Sequence, residues 1–531
     1  MRPGGSYPGD RLQKGIVKPK WKSYRALFEH LPSTHQTLTK RTGENTVDEI
    51  AFADAVTLAK KIKQKEISSV ELLNHYLERI ERHNPDINAV VLFQTQKARV
   101  RAEAADAALA KGEDWGPLHG VPMTVKESYD IEGLPTTWGD PANKDNIAEA
   151  DAVACERLQA AGAVIFGKTN IPIHLADFQS YNEVYGTTGN PHNLERTPGG
   201  SSGGSAAALA AGLTGLEMGS DIGGSIRNPA HYCGVFGHKP TWGILPMRGH
   251  ALKGVLTPSD ISVIGPLARS AQDLRLAMDV VAGADEIHLP GWQIALPHPA
   301  QKTLADYKVA VWLDDPRAPV DEAMKERVLK VAQLVEEAGG KVDYNDRPSF
   351  DIAESHDCYT ALLHSAMSAR SADDVFEAGV KRRSELAKDD QSQLAKVTRA
   401  STLYYREWHA INEQRTHLRW AWHEYFKQYD VLLTPMCMTS AFPHDHNPKL
   451  SERMIQVNNT PTNYFDQVFW AGLTGVSYLP STVVPTGLDS QGLPIGVQIV
   501  AREMGDYTSI EFARLIDREL GGFTPPEAYK G

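Results

Sequence analysis

Cysteine is scarce: four residues in 531, at positions 155, 233, 358 and 437, with no Cys-x-x-Cys pair. That density excludes a disulfide scaffold and offers no zinc ribbon or dithiol redox motif. Buried thiols in a reducing, cytoplasmic compartment are expected instead. Long apolar runs are missing too. No stretch approaches the roughly 18 apolar residues that a membrane span needs, and the charged start of the chain lacks the apolar core of a secretory signal. Positive charge is in deficit, with 55 Lys and Arg against 66 Asp and Glu for a net charge of -11. Such an acidic chain is not expected to take nucleic acid as its main ligand. No internal repeat with a period of roughly 20–50 residues occurs, and no Gly/Ser/Pro-rich linker divides residues 46–520.

What remains is ordinary material for a large core: 41% hydrophobic and 23% charged residues. Residues 1–45 stand apart, with nine Lys/Arg against three Asp/Glu. They are expected to form a basic N-terminal arm, ahead of a body running from 46 to about 525. Ser68-Ser69-Val70-Glu71 reads as a capping box. It opens a helix in which Val70, Leu73, Leu77 and Ile80 recur at three- and four-residue spacing, and Pro85 is expected beyond its end. From residue 121 the pattern changes. Runs rich in β-branched residues at 121–125 and 164–166 alternate with Ala-rich helical stretches and glycine turns, and the same unit recurs over 308–344. Further strands are expected at 431–435, 483–485 and 494–500, and a closing helix at 510–520. This alternation predicts an α/β fold, one large domain with a mixed central β-sheet covered by helices on both faces. Residues 350–465 are polar, helical and dotted with aromatics, a variable region expected to shape substrate binding.

Two glycine–serine clusters flank an Ala-rich stretch at 206–213 that should be a buried helix. The first is Pro198-Gly199-Gly200-Ser201-Ser202-Gly203-Gly204-Ser205 and the second Gly219-Ser220-Asp221-Ile222-Gly223-Gly224-Ser225-Ile226-Arg227. Small residues let backbone approach a ligand closely. Neither cluster carries the lysine of a phosphate-binding P-loop, and Ser225 lacks the Gly-x-Ser-x-Gly setting of a nucleophile elbow. A flexible linker is disfavoured by the strand and helix patterns on either side. His444-Asp445-His446 has no third ligand motif, so a solvated loop and no metal are expected there. Lys168 and His119 are expected to be structural.

These residues resemble the amidase signature family. Gly116-Pro117-Leu118-His119-Gly120-Val121-Pro122 followed by Thr124-Val125-Lys126-Glu127 is similar to its lysine motif. Gly199–Ser205 and Asp221–Arg227 are similar to its serine-rich signature, with Ser225 following Ser201 by 24 residues. Gly492-Leu493-Pro494-Ile495-Gly496-Val497-Gln498 resembles its C-terminal strand pair. The likeness covers roughly 46–520. Departures are small: Glu127 stands where many members have Asp, and Asn228 follows Arg227 where an aromatic is common. Neither is expected to touch the catalytic residues.

The resemblance implies a hydrolase for carboxylic amide C–N bonds, with esters, aryl amides and carbamates open to the same acyl-enzyme. Ser225 would be the nucleophile, Ser201 the relay, held by a cis peptide bond, and Lys126 the base. Ser202 is the alternative relay. A serine hydroxyl is a poor nucleophile until a base takes its proton, and burial would keep Lys126 neutral enough to do so. The backbone N–H groups of Ile222, Gly223, Gly224 and Ser225 would form the oxyanion hole. Ser202, Asp221 and Arg227 would support the loops. The loop Asp177-Phe178-Gln179-Ser180-Tyr181-Asn182 is a candidate for substrate contact, Phe178, Gln179, Ser180 and Tyr181 above all, as are Tyr359, Tyr404, Tyr405, Trp408, Tyr464 and Phe465. No cofactor is required, the partner is a small-molecule amide, and the resemblance allows a homodimer. Two other readings stay open: a glutamine-dependent transamidation subunit working with partner chains, and a non-catalytic binding protein on this scaffold.

Overall fold

The computed structural model describes residues 48–531, so the expected basic arm at 1–45 lies outside the described residues. Ser68 caps the helix Ser69–Ile87. The Glu71 N–H donates to Ser68 Oγ at 3.1 Å, and the Ser68 N–H donates to Glu71 Oε2 at 2.8 Å. Leu72, Leu73, Tyr76, Leu77 and Ile80 form its buried face. Pro85 lies inside this helix, not beyond it. A proline forfeits one backbone N–H, and here it falls in the last turn. Asn84 Oδ1 then accepts from the N–H groups of Ala89 and Val90 at 2.9 Å each, and Asn88 ends the helix in the left-handed conformation.

Three strands form a small sheet in the order β1-β3-β2: β1 (Val90–Phe93), β2 (Pro122–Lys126) and β3 (Val164–Thr169). Strand β2 runs parallel to β3, and β1 antiparallel to it. A short ladder joins β4 (Tyr181–Asn182) to β5 (Gly186–Thr187). The main sheet takes in β6 (Glu217–Asp221), β7 (Phe236–Lys239), β8 (Val263–Ala268), β9 (Lys308–Val311), β10 (Lys341–Asp343) and β11 (Val431–Pro435). A separate ladder pairs β12 (Met454–Val457) with β13 (Thr460–Asn463). Strands β14 (Ser481–Leu488) and β15 (Pro494–Val500) complete the eight-stranded order β10-β9-β11-β15-β14-β7-β8-β6. Strands β10, β9 and β11 are parallel neighbours; the remaining pairs are antiparallel.

Alternate residues of a strand face opposite sides, and both sides are covered. His238 of β7 and Thr482 of β14 bond each other at 2.9 Å and face the helix Asp506–Leu520, reaching Asp506 at 3.1 Å and Ser509 at 2.9 Å. The next residue along, Gly237, faces the helix Arg227–Cys233 so closely that a Cβ on it would lie 2.8 Å from Ala230 Cβ. The body continues past residue 525. Arg79 Nη2 donates to Tyr529 O at 2.7 Å, and the Asp48 N–H donates to Lys530 O at 2.6 Å. The variable region holds the helices Ile352–Ser368, Asp373–Glu385, Gln393–Ala400 and Tyr405–Tyr425. Among the described residues no helix is long and apolar enough to cross a membrane.

Candidate active site

Strand β2 packs beside β6, which brings its last residue, Lys126, under both glycine–serine turns. The Lys126 side chain is fully buried. Its Nζ lies 2.6 Å from Ser201 Oγ, 2.9 Å from Ser202 Oγ and 3.0 Å from Ser220 Oγ. A neutral amine has two N–H groups and a lone pair, so it satisfies three hydroxyls by accepting from one of them. Burial pushes the lysine well below its ordinary value, against the charges of Asp221 and Glu217. Both carboxyls are weak counter-charges. Asp221 is held by Arg227, and burial pushes Glu217 up to about 8 despite the hydrogen bond from Thr124.

The Gly200–Ser201 peptide bond is cis. Gly200 can only be glycine: a Cβ there would lie against the Asp177 carbonyl and 2.7 Å from Gln179 N. Its N–H donates to Asn228 Oδ1 at 3.1 Å. Asn228 therefore does touch the serine turn, contrary to the expectation from sequence, because the first turn of the helix Arg227–Cys233 lies against Gly199 and Gly200.

Asp221 organises the second turn. Its Oδ1 accepts from the Gly224 N–H at 2.8 Å and its Oδ2 from the Ile226 N–H at 3.1 Å. The Arg227 guanidinium forks onto it through Nε at 3.0 Å and Nη2 at 2.9 Å. Burial would raise this carboxyl, but Arg227, Lys239 and the Gly224 N–H together outweigh burial and hold it down at about 2. Arg227 Nη1 donates onward to Gln498 Oε1 at 2.7 Å, tying the turn to β15. Gly224 adopts φ 106°, a conformation that favours glycine. Among the described residues the N–H groups of Ile222, Gly223 and Ser225 meet no acceptor, whereas that of Gly224 is committed to Asp221. The Ser202 N–H donates to Ser225 O at 3.1 Å and joins the two turns. No hydrogen bond joins the Ser201 and Ser225 hydroxyls among the described residues.

Ser201, Ser220, Ile222, Gly223 and Ser225 share a cavity that opens to solvent. Its walls are largely apolar, with Trp138, Phe178, Leu363, Met367, Tyr464, Phe465 and Val468. Apolar walls, with few polar groups converging at one end, suit a small organic ligand.

Comparison with known proteins agrees with this geometry. The family model described as Amidase matches residues 71–509. The chain belongs to the amidase signature family. Among curated relatives, an indoleacetamide hydrolase of Bradyrhizobium diazoefficiens is 34% identical over 487 residues, 88% of this chain and 86% of the relative. A glutamyl-tRNA(Gln) amidotransferase subunit of Gloeobacter violaceus is 31% identical over 469 residues, 84% of this chain and 92% of the relative. Among solved structures, 6-aminohexanoate cyclic dimer hydrolase complexed with substrate superposes with a TM-score of 0.72 at 26% identity, covering 90% of this chain and 99% of that one.

Within this amidase-family fold the expected substrate contacts separate. Phe178 reaches the cavity. Its three neighbours turn away and hold the loop instead. Gln179 binds the Asp445 backbone through Nε2 at 2.6 Å and Oε1 at 3.0 Å. Ser180 Oγ donates to Gly199 O and accepts from the Gly203 N–H, both at 3.0 Å. Tyr181 stacks on His446 with ring centroids 3.8 Å apart and accepts from Arg453 Nη2 at 2.7 Å. Of the downstream aromatics, Tyr464 and Phe465 line the cavity. Tyr359 lies behind it and donates to Ile222 O at 3.0 Å, while Tyr404 and Tyr405 are exposed and Trp408 lies off the cavity wall. Lys168 is buried and donates to Pro135 O at 2.7 Å, and His119 is bonded to the backbone of Trp115 and Ala105.

Trp138 was not picked out from the sequence, while Ser220 and Asp177 stood in the expected cluster and loop without the contacts they make. Ser220 is the third hydroxyl on Lys126. Asp177 is held by Arg453 Nη1 at 2.7 Å and by Tyr464 Oη at 2.5 Å. Trp138 is placed by Glu127, whose carboxylate accepts from the Thr137 N–H at 2.6 Å and the Trp138 N–H at 3.1 Å. The one available signal was Glu127 itself, adjacent to the motif lysine.

Proposed function

We propose that this protein hydrolyses carboxylic amides through an acyl-enzyme on Ser225. The observation that carries the reading is a buried lysine 2.6 Å from the Ser201 hydroxyl, beneath a turn that offers free N–H groups beside Ser225. Neutral Lys126 takes the Ser201 proton as Ser201 takes that of Ser225, and the Ser225 Oγ–carbon bond forms. The two hydroxyls must meet for this, and catalytic contacts commonly tighten only when substrate is bound. The N–H groups of Ile222, Gly223 and Ser225 receive the oxyanion, and Asp221 fixes the turn through Gly224. The C–N bond then breaks, the proton returns through Ser201 to the leaving amine, and water releases the acid. Ser201 suits the relay better than Ser202: it lines the cavity, whereas Ser202 Oγ accepts from the Ser220 N–H at 3.4 Å.

The apolar walls favour aryl or other apolar amides, with esters and carbamates served by the same acyl-enzyme. Four free, buried cysteines suit a reducing, cytoplasmic compartment, and a homodimer rests on family resemblance alone. Similarity to a glutamyl-tRNA(Gln) amidotransferase favours one second reading, release of ammonia from glutamine in concert with partner chains. Amine release from aryl amides and from glutamine, assayed on the chain alone with wild type and Ser225→Ala, separates them. Turnover of aryl amides that Ser225→Ala abolishes supports the hydrolase. Inertness toward both until a partner chain is added overturns it.

A further inference from the structure

The cavity carries one charge that amide hydrolysis does not use. Arg370, just past the helix Ile352–Ser368, lines the same cavity as Ser225. Its guanidinium carbon stands 4.8 Å from the centroid of the Trp138 ring, within cation–π range. Among the described residues no carboxylate pairs with this guanidinium and no oxygen accepts a hydrogen bond from it.

The other charged or titratable side chains of the cavity are already engaged. Asp177 is held by Arg453 and Tyr464. His174 pairs with Asp140 at 2.9 Å. His250 is bonded through Nε2 to Ser128 Oγ at 2.9 Å. Burial, helped by the charge of Arg370, pushes His250 well below the ordinary histidine value, so its ring is neutral. Lys126 lies beneath the serines, where burial pushes it well below the ordinary lysine value. Among the described residues Arg370 is left as a cation of this largely apolar cavity without a counter-charge. Partial burial pulls it below the usual arginine value, yet a guanidinium remains charged at neutral pH.

An unpaired cation among apolar walls is costly unless an anion comes to it. A planar fork of N–H donors suits a carboxylate, which it can bind through two parallel hydrogen bonds. The platform under the fork is fixed from the catalytic side. Trp138 has φ 55° and is held by the carboxylate of Glu127, the residue next to Lys126. The strand that delivers the lysine thus also sets the ring on which Arg370 stacks.

We propose that Arg370, stacked on Trp138, receives a carboxylate that the substrate carries away from its scissile bond, so that amides bearing an acidic group are the preferred substrates. This rests on reading Ser225 as the nucleophile of an amidase. A site built for such a partner discriminates strongly against a neutral analogue, because the analogue leaves the guanidinium unpaired.

The test uses the full chain and two matched pairs of anilides. The acid sits on the amine side in 4-acetamidobenzoate and on the acyl side in succinanilic acid; each is compared with its primary carboxamide. Calorimetric binding to Ser225→Ala avoids turnover. At least one carboxylate should bind tenfold or more tightly than its neutral partner. Arg370→Gln in that background should erase the preference, Arg370→Lys should keep part of it, and raising salt should weaken it. Equal binding within both pairs, no binding of either carboxylate at millimolar concentration, or a preference that survives Arg370→Gln overturns the proposal. The amidase reading fails separately. If wild type releases no amine while the Arg370-dependent preference persists, the site binds acidic ligands without cleaving them. If turnover is normal without any preference, hydrolysis stands and the carboxylate subsite falls.

Discussion

Replacing Asp221 with Asn tests how the nucleophile turn is held. The aspartate is fully buried and accepts from the Gly224, Ile226 and Arg227 N–H groups and from the Arg227 fork. Asparagine keeps one acceptor oxygen and turns an NH2 against one arm of the guanidinium and either the Gly224 or the Ile226 N–H. It also leaves Arg227 buried without its counter-ion. Breaking a buried pair from one side destabilises by about 3–5 kcal/mol. At about 2.1 cal/mol/K per residue, a body of roughly 480 residues unfolds with about 1 kcal/mol/K of entropy, so Tm should fall by about 3–5 °C. The same change loosens the turn that carries the Ile222, Gly223 and Ser225 N–H groups. Loss of one oxyanion donor typically costs about 10²–10³ in kcat, and a drop of about that size is expected for amide hydrolysis. Differential scanning calorimetry and initial rates on the same preparations read both effects. The double variant Asp221→Asn/Arg227→Gln should be less destabilised than the sum of the singles, since the two residues form one unit. A Tm within 1 °C of wild type, with rates changed less than about threefold, would refute the claim that this pair holds the turn.

The lysine predicts a pH profile. Its charged form is the inactive one, and burial lowers its pKa well below 10.5. Hydrolysis should therefore rise with pH through that lowered value and level off beyond it; a rise confined to the ordinary lysine range contradicts the burial argument. Lys126→Ala should lose the rise along with most of the rate, by about 10²–10⁴-fold in kcat/KM. Gly200→Ala should yield little folded protein, because its methyl group meets the Asp177 carbonyl and lies 2.7 Å from Gln179 N; wild-type solubility and Tm would show that the serine turn can shift.

What the sequence reveals here follows the range of each interaction. The capping box at Ser68 and Glu71 is legible because both partners lie within one turn. Lys126, Ser201 and Ser225 are legible because their motifs have a fixed spacing, although it takes β6 beside β2 to bring them together. The strand Glu217–Asp221 is hidden, since Glu-Met-Gly-Ser-Asp has no β-branched residue and owes its conformation to pairing with β8. Ser220 is legible as part of the second glycine–serine cluster, but its contact with Lys126 is not. The loop after Asp177 is legible as a place but not in its facing: Phe178 turns to the cavity, while Gln179 and Tyr181 are claimed by Asp445 and Arg453, more than 250 residues away. The pairing of Arg370 with Trp138 is likewise a product of the fold. Pro85 shows the reverse error, a local signal overruled in the last turn, beyond which Asn84 Oδ1 accepts from the Ala89 and Val90 N–H groups.

The central claim is that Ser225 is a nucleophile driven by Lys126 through Ser201. Intact-protein mass after exposure to a fluorophosphonate probe tests it most directly, with wild type, Ser225→Ala, Ser201→Ala and Lys126→Ala side by side. A single adduct is expected on wild type, none on Ser225→Ala, and labelling slowed by about 10²-fold or more on the other two. An adduct that persists on Ser225→Ala, or none on wild type under conditions where it is folded, would contradict the account.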